Sequence, residues 1–194
     1  MPEQGLNPAI PVALLDANVL YPAPLRDTLM HLAVNVPVAV RWSAQIQAEW
    51  TRRLLEARPD LNPNRLERTV QQMNRAVPLA LVTGFEPLIE QLDLPDLNDR
   101  HVFAAAIHGG ASVIVTNNIK DFPSAVLRKN GLVARRPDPF IMGSIEQAPK
   151  AVLEAIRLQH ANLKNPPASK PDFLQTLESQ GLKEVVAWLR GRRF

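Results

Sequence analysis

No cysteine occurs among the 194 residues of this chain. That excludes disulfides, thiolate metal sites and cysteine nucleophiles, and it fits a reducing compartment. Long apolar runs are also missing, and none approaches the ~20 residues of a membrane span. The opening segment MPEQGLNPAIPV lacks the basic stretch followed by a long apolar one that marks a secretory leader. The expectation is a soluble cytoplasmic protein with no membrane partner. No G-x-G-x-x-G follows the first strand-like run, which argues against a dinucleotide site. The histidines His31, His101, His108 and His160 are scattered, so no His/Cys set exists to hold zinc. Each reads as a surface or helix residue rather than a ligand.

What is present is enough to build a core. Hydrophobic residues make up 46% of the chain and charged residues 21%, a composition suited to one globular domain or one domain with a small appendage. The net charge of +3 allows a polyanionic partner without demanding one. The basic residues are grouped: Arg52, Arg53, Arg65, Arg68 and Arg75 in one helical stretch, then Arg128, Lys129, Arg135 and Arg136, then Arg190, Arg192 and Arg193. Taken singly, each group reads as a solvated face. Three such groups around an acidic site favour phosphate contacts, because arginine pairs phosphate bidentately.

Strand-like and helix-like segments alternate. Residues 11–15 (PVALL), 38–41 (VAVR), 79–82 (LALV), 112–116 (SVIVT) and 132–134 (LVA) read as strands. Helices are expected after Pro24, from a Ser43 cap to about Arg58, over 63–76 behind an Asn62-Pro63 start, and over 98–108 until Gly109-Gly110. The alternation predicts an α/β fold with a central parallel sheet of four or five strands and helices on both faces. After about residue 140 the character changes. Residues 144–162 and 171–190 read as helices separated by the Pro-rich NLKNPPASKP, with an apolar stripe through Phe173, Leu174, Leu177, Leu182, Val185, Val186 and Leu189. This predicts two parts, residues 10–140 and a C-terminal helical extension over 141–194.

Four acids stand out within that frame: Asp16 and Asp121 beside strand ends, and Glu49 and Asp99 on helices that can point back towards them. Open α/β sheets collect ligands at strand C-terminal ends. Carboxylates are costly to cluster unless a hard cation neutralises them. Phosphodiester hydrolysis with divalent ions needs several carboxylates and few other groups, and the amides and hydroxyl of Asn18, Thr116 and Asn118 can support them. Local roles compete with this reading. Asp96 and Asp99 suit the cap and first turn of a helix, and Asp96 fits that role better. Asp121 and Asn18 suit turns, and Glu49 gains weight only from its apolar flanks Ile46 and Trp50.

The segments LLDANVL, the glutamate in the helix after the second strand, and DRHVFAAAIHGGASVIVTNNIKDFP together resemble the PIN-domain ribonucleases, and within them the VapC-like toxins of bacterial toxin–antitoxin pairs. The resemblance covers about residues 10–140. It implies a PIN-like three-layer fold in which Asp16, Glu49, Asp99 and Asp121 bind Mg2+ or Mn2+, with Asn18, Thr116, Asn118 and Asp96 in support. It further implies endonucleolytic hydrolysis of RNA, a homodimer and a cognate antitoxin. Other readings are a PIN-type RNA-processing nuclease that is not a toxin, a non-catalytic RNA- or protein-binding PIN module, or a haloacid-dehalogenase-like phosphohydrolase. That last class wants a second aspartate where this chain has Asn18.

Overall fold

A computed structural model describes residues 11–94, 96–164 and 166–193. The N-terminal segment read above as lacking a leader therefore lies largely outside the described residues. In chain order the elements are β1 (Val12–Leu15), α1 (Ala17–Leu20), α2 (Ala23–Asn35), β2 (Ala39–Ser43), α3 (Ala44–Ala57), α4 (Pro63–Ala76), β3 (Leu81–Val82), α5 (Glu86–Ile89), α6 (Arg100–His108), β4 (Val113–Val115), α7 (Ser124–Arg128), β5 (Val133–Arg135), α8 (Pro137–Gln147), α9 (Pro149–Asn162), α10 (Lys170–Ser179) and α11 (Lys183–Arg190). Short 3-10 turns over Leu97–Asp99 and Ile119–Asp121 precede α6 and α7.

The sheet has five strands in the order β3-β2-β1-β4-β5, every pair parallel. The connections from β1 run first to one side, through β2 and β3, and then to the other, through β4 and β5. Such a reversal leaves a crevice beyond the C-terminal ends of β1 and β4. Those ends carry Asp16 and Thr116. The central strands β1 and β4 are almost wholly apolar and buried, as parallel strands covered on both faces must be.

Local chemistry explains most boundaries. Ser43 ends β2 and accepts from the Ile46 amide, capping α3, and Asn62 accepts from the Asn64 amide ahead of Pro63. Gly110 turns the chain out of α6 with φ +64, a conformation that costs glycine little. The adjoining Gly109 is required for space. A Cβ there would meet Val82 Cγ2 at 2.8 Å and the Ala105 carbonyl at 2.9 Å, so α6 closes down onto the β3 edge only with glycine. Three expectations change. The helix expected over 171–190 is two helices, α10 and α11, with Gly181 at φ +86 in the turn between them. The early arginines divide between α3 and α4, separated by a turn, rather than sharing one helical stretch. The expected helix over 144–162 is two helices, α8 and α9, broken at Ala148, because Pro149 cannot donate the amide a continuous helix needs.

The C-terminal helices are packed on the α/β core. Phe173, Leu177, Leu182, Val185, Val186 and Leu189 are buried in the same apolar cluster as the sheet. Two polar clasps fix the docking. Thr28 of α2 donates to Gln159 Oε1 of α9 at 3.0 Å, and Gln159 Nε2 donates to the Pro24 carbonyl at 3.2 Å. At the far end the Asp138 carboxylate accepts from the amides of Glu184 and Val185, at 2.9 and 3.0 Å, and so caps α11. Among the described residues no helix is long and apolar enough to cross a membrane.

Candidate active site

Asp16 follows β1 directly and starts α1. Its Oδ1 accepts from the amide of Ala17, the first residue of α1, at 2.6 Å. Its Oδ2 accepts from Thr116 Oγ1 at 2.7 Å and from Asn18 Nδ2 at 2.5 Å. Asn18 also donates to Thr116 Oγ1 at 2.9 Å and accepts from the Asn117 amide at 2.9 Å, while the Asn118 amide donates to Thr116 Oγ1 at 3.0 Å. Asp16, Asn18 and Thr116 therefore form one closed network that ties the end of β1 to the loop after β4. Asp16 is only 4% exposed. Burial pushes its carboxyl above the usual range, against the pull of the Thr116 hydroxyl.

Asp99 closes the 3-10 turn before α6 and stands at that helix's cap position. Its pKa is pushed up to about 6, first by burial and then by the charges of Asp16, Asp96, Asp121 and Glu49. Four carboxylates thus act on a fifth, and the result is the electrostatic signature of an acidic cluster. Asp96 takes the local role as well: it accepts from the Asn98 amide at 2.9 Å and caps the 3-10 turn.

Glu49 owes its direction to the packing of α3. Ile46, Gln47 and Trp50 form the buried stripe of that helix, and Glu49 lies at its margin. Its Oε1 is 2.7 Å from Arg53 Nη2, one turn on, and its Oε2 is 3.4 Å from His101 Nε2. The His101 ring as a donor, and after it the charge of Arg53, hold the Glu49 carboxyl below the usual range against its partial burial. Glu49 and Asp99, two acids of one site, are thus displaced in opposite directions.

Glu49, Asp96, Asp99, Asn118 and Asp121 line a single cleft of about 820 Å³, together with Arg52, Arg53 and His101. Asp16 and Thr116 do not reach its surface, although the charge of Asp16 is felt by Asp99. The eight residues named from sequence therefore gather at one end of the sheet. Among the described residues no three Asp, Glu or His side chains stand close enough to enclose one ion. The oxygens of Asp16 and Glu49 are directed at neighbouring donors, and mutual repulsion favours separation of the carboxylates. A second cavity of about 610 Å³ lies between α2, α4, α9 and α10 and contains none of the four acids.

Three residues at the cleft are not marked out by the sequence. Arg52 and Arg53 stand there only as members of a basic group. His101 reads as an ordinary helix or surface histidine, yet its side chain is 8% exposed and faces Glu49. Its spacing two residues after Asp99 was the available signal, but only the packing of α6 against α3 gives that spacing a meaning.

The family described as "PIN domain" matches residues 12–120, more than half of the chain. A second family, described as "VapC50 C-terminal domain", matches residues 137–191. A curated relative, "Putative ribonuclease VapC50" of Mycobacterium tuberculosis (strain ATCC 25618 / H37Rv), is 39% identical over 77 residues, which is 38% of this chain and 45% of that protein. The match thus spans less than half the length of the relative. No solved structure matches this chain.

Proposed function

The chain belongs to the PIN-domain family, and we propose that it is a divalent-cation-dependent endoribonuclease acting as the toxin of a toxin–antitoxin pair. The observation that carries the chemistry is the cluster itself. One cleft gathers acids whose charges add to burial in raising Asp99 to about 6, and a cation is the economical way to stabilise such an arrangement. The donors are all oxygen, which suits Mg2+ or Mn2+ better than zinc. Asp16, Glu49, Asp99 and Asp121 would hold the ion or ions, with Asn18, Thr116, Asn118 and Asp96 in support. When bound, such an ion supplies charge neutralisation at the phosphodiester and a lower pKa for water.

The protein's own groups do the rest. Thr116 and Asn18 hold Asp16 in one orientation by donating to Oδ2. Glu49, kept ionised by His101 and Arg53, is available as an anionic oxygen ligand throughout the neutral pH range. Arg52 and Arg53 at the rim are placed to pair with backbone phosphates. Single-stranded RNA fits an open cleft best, because its backbone is accessible. On this reading residues 10–140 form the nuclease part and 141–194 the helical extension, the protein acts in the cytoplasm as a homodimer, and a cognate antitoxin restrains it.

The test is cleavage of single-stranded RNA by purified protein with Mg2+ or Mn2+ against the same reaction in EDTA. Cation-dependent cleavage lost in Asp99→Asn is the expected result, and binding without cleavage would leave a non-catalytic module. A neighbouring reading frame for a small DNA-binding protein separates a toxin from an RNA-processing nuclease.

A further inference from the structure

The middle of α6 is apolar and buried on every side: Val102, Phe103, Ala104, Ala105 and Ala106 are at most 1% exposed. His101 directly precedes it. Its side chain is 8% exposed, and its Nδ1 is buried with no hydrogen-bond partner. A buried, unpaired ring nitrogen costs stability that a leucine of similar bulk would not. Packing alone therefore gives no reason for a histidine. The ring's polar contact is Nε2 to Glu49 Oε2 at 3.4 Å, long for a hydrogen bond, as catalytic contacts in unliganded sites often are.

The two partners of Glu49 differ in kind. Arg53 lies on the same helix one turn away and its side chain is 52% exposed, so it can swing out towards a phosphate. His101 is enclosed and cannot follow. Repulsion from the neighbouring aspartates drives the Glu49 carboxylate outward, towards Arg53, and a fixed donor on the core side is what opposes that drift. The first turn of α6 thus brings two functions to one cleft, with Asp99 in the acid cluster and His101 against the acid of the facing helix.

We infer that His101 is a positioning residue that holds Glu49 towards the acid cluster from the core side, at a cost in stability. The inference rests on the nuclease reading given above. His101 does not touch the scissile phosphate; it acts through Glu49.

The experiment uses the full chain with Mn2+ as probe. His101→Leu is expected to melt in EDTA at or above the wild-type temperature, because the unpaired nitrogen is gone. Its Mn2+ affinity by calorimetry and its RNA cleavage should each fall by about 10- to 100-fold. His101→Gln, which keeps a donor near the Nε2 position, should recover most of both. In a Glu49→Gln background, His101→Leu should change neither any further. The inference is overturned if His101→Leu keeps wild-type affinity and cleavage, if its losses persist undiminished in the Glu49→Gln background, or if it simply unfolds and His101→Gln does not restore function. Wild-type protein that fails to cleave RNA with Mn2+ sinks the nuclease reading instead, whereas an active wild type with an equally active His101→Leu sinks only the positioning role.

Discussion

Thr116 Oγ1 donates to Asp16 Oδ2 at 2.7 Å across 100 residues of sequence, joining the C-terminal ends of two adjacent parallel strands. Both side chains are buried, so the hydroxyl is the polar counterpart that makes a carboxylate tolerable at that position. Asn18 bonds to both members and makes the contact a triangle.

Thr116→Val removes the donor and keeps the shape. Asp16 loses one of its partners, and Asn18 and the Asn118 amide lose an acceptor. Urea unfolding should show a loss of about 1–3 kcal/mol, and cleavage at fixed Mg2+ should drop by about 10-fold or more. A variant as stable and as active as the parent would show that the triangle positions nothing.

Asp16→Asn and Asp121→Asn should each take RNA cleavage to background while leaving the fold intact. In EDTA the melting temperature should be unchanged or raised, since removing one charge relieves the others. If either variant turns over at the wild-type rate in saturating Mg2+, its carboxylate is not central to the site.

The pH dependence of stability in EDTA has a definite sign. Asp99 has a folded-state pKa of about 6 against an ordinary value of 3.8, so between those values the folded protein binds the extra proton. Stability then falls as pH rises through that window, and Asp16, also raised, acts in the same direction. Glu49 is lowered from 4.5 and acts oppositely, losing its contribution only as pH falls below that ordinary value. The wild-type melting temperature in EDTA should therefore climb by a few degrees from pH 7.5 to pH 5 at ~2–4 °C per kcal/mol for a chain of this length. Asp99→Asn should flatten the climb, and saturating Mg2+ or Mn2+ should reverse it. A wild-type curve already flat in EDTA would remove the case for a repulsive cluster.

Mg2+ or Mn2+ should support cleavage and Ca2+ should inhibit it, because calcium takes more ligands at longer, looser distances and orders water poorly. Full activity in EDTA would dispose of the cation altogether, and activity with zinc alone would contradict an all-oxygen site.

Removing residues 149–194 should leave the chain insoluble or much less stable, although the four acids all lie upstream. The deletion uncovers the α2 face that packs on α9 and takes away the buried Phe173, Leu177, Val185, Val186 and Leu189. Each fully buried side chain of this kind contributes about 1.5–3 kcal/mol. A soluble truncated protein with the wild-type melting temperature would make the extension an independent appendage.

Sequence by itself determined the features that are written locally. A short apolar run ending in a polar residue is a buried strand feeding a loop, so Asp16 and Thr116 could be placed at strand ends. Ser43, Asn62-Pro63 and Gly109-Gly110 mark helix boundaries with side chains or backbone freedom a few residues away, and β/α alternation implies a parallel sheet. Tertiary structure alone decided how far-apart segments face one another. The rotation of α3, set by burying Ile46 and Trp50, turns Glu49 to the cleft. The approach of α6 across the sheet makes His101 its partner. Docking on α2 determines that the C-terminal stripe packs on its own chain, a choice that no helical periodicity contains, because an apolar face states that it will be covered and not by what.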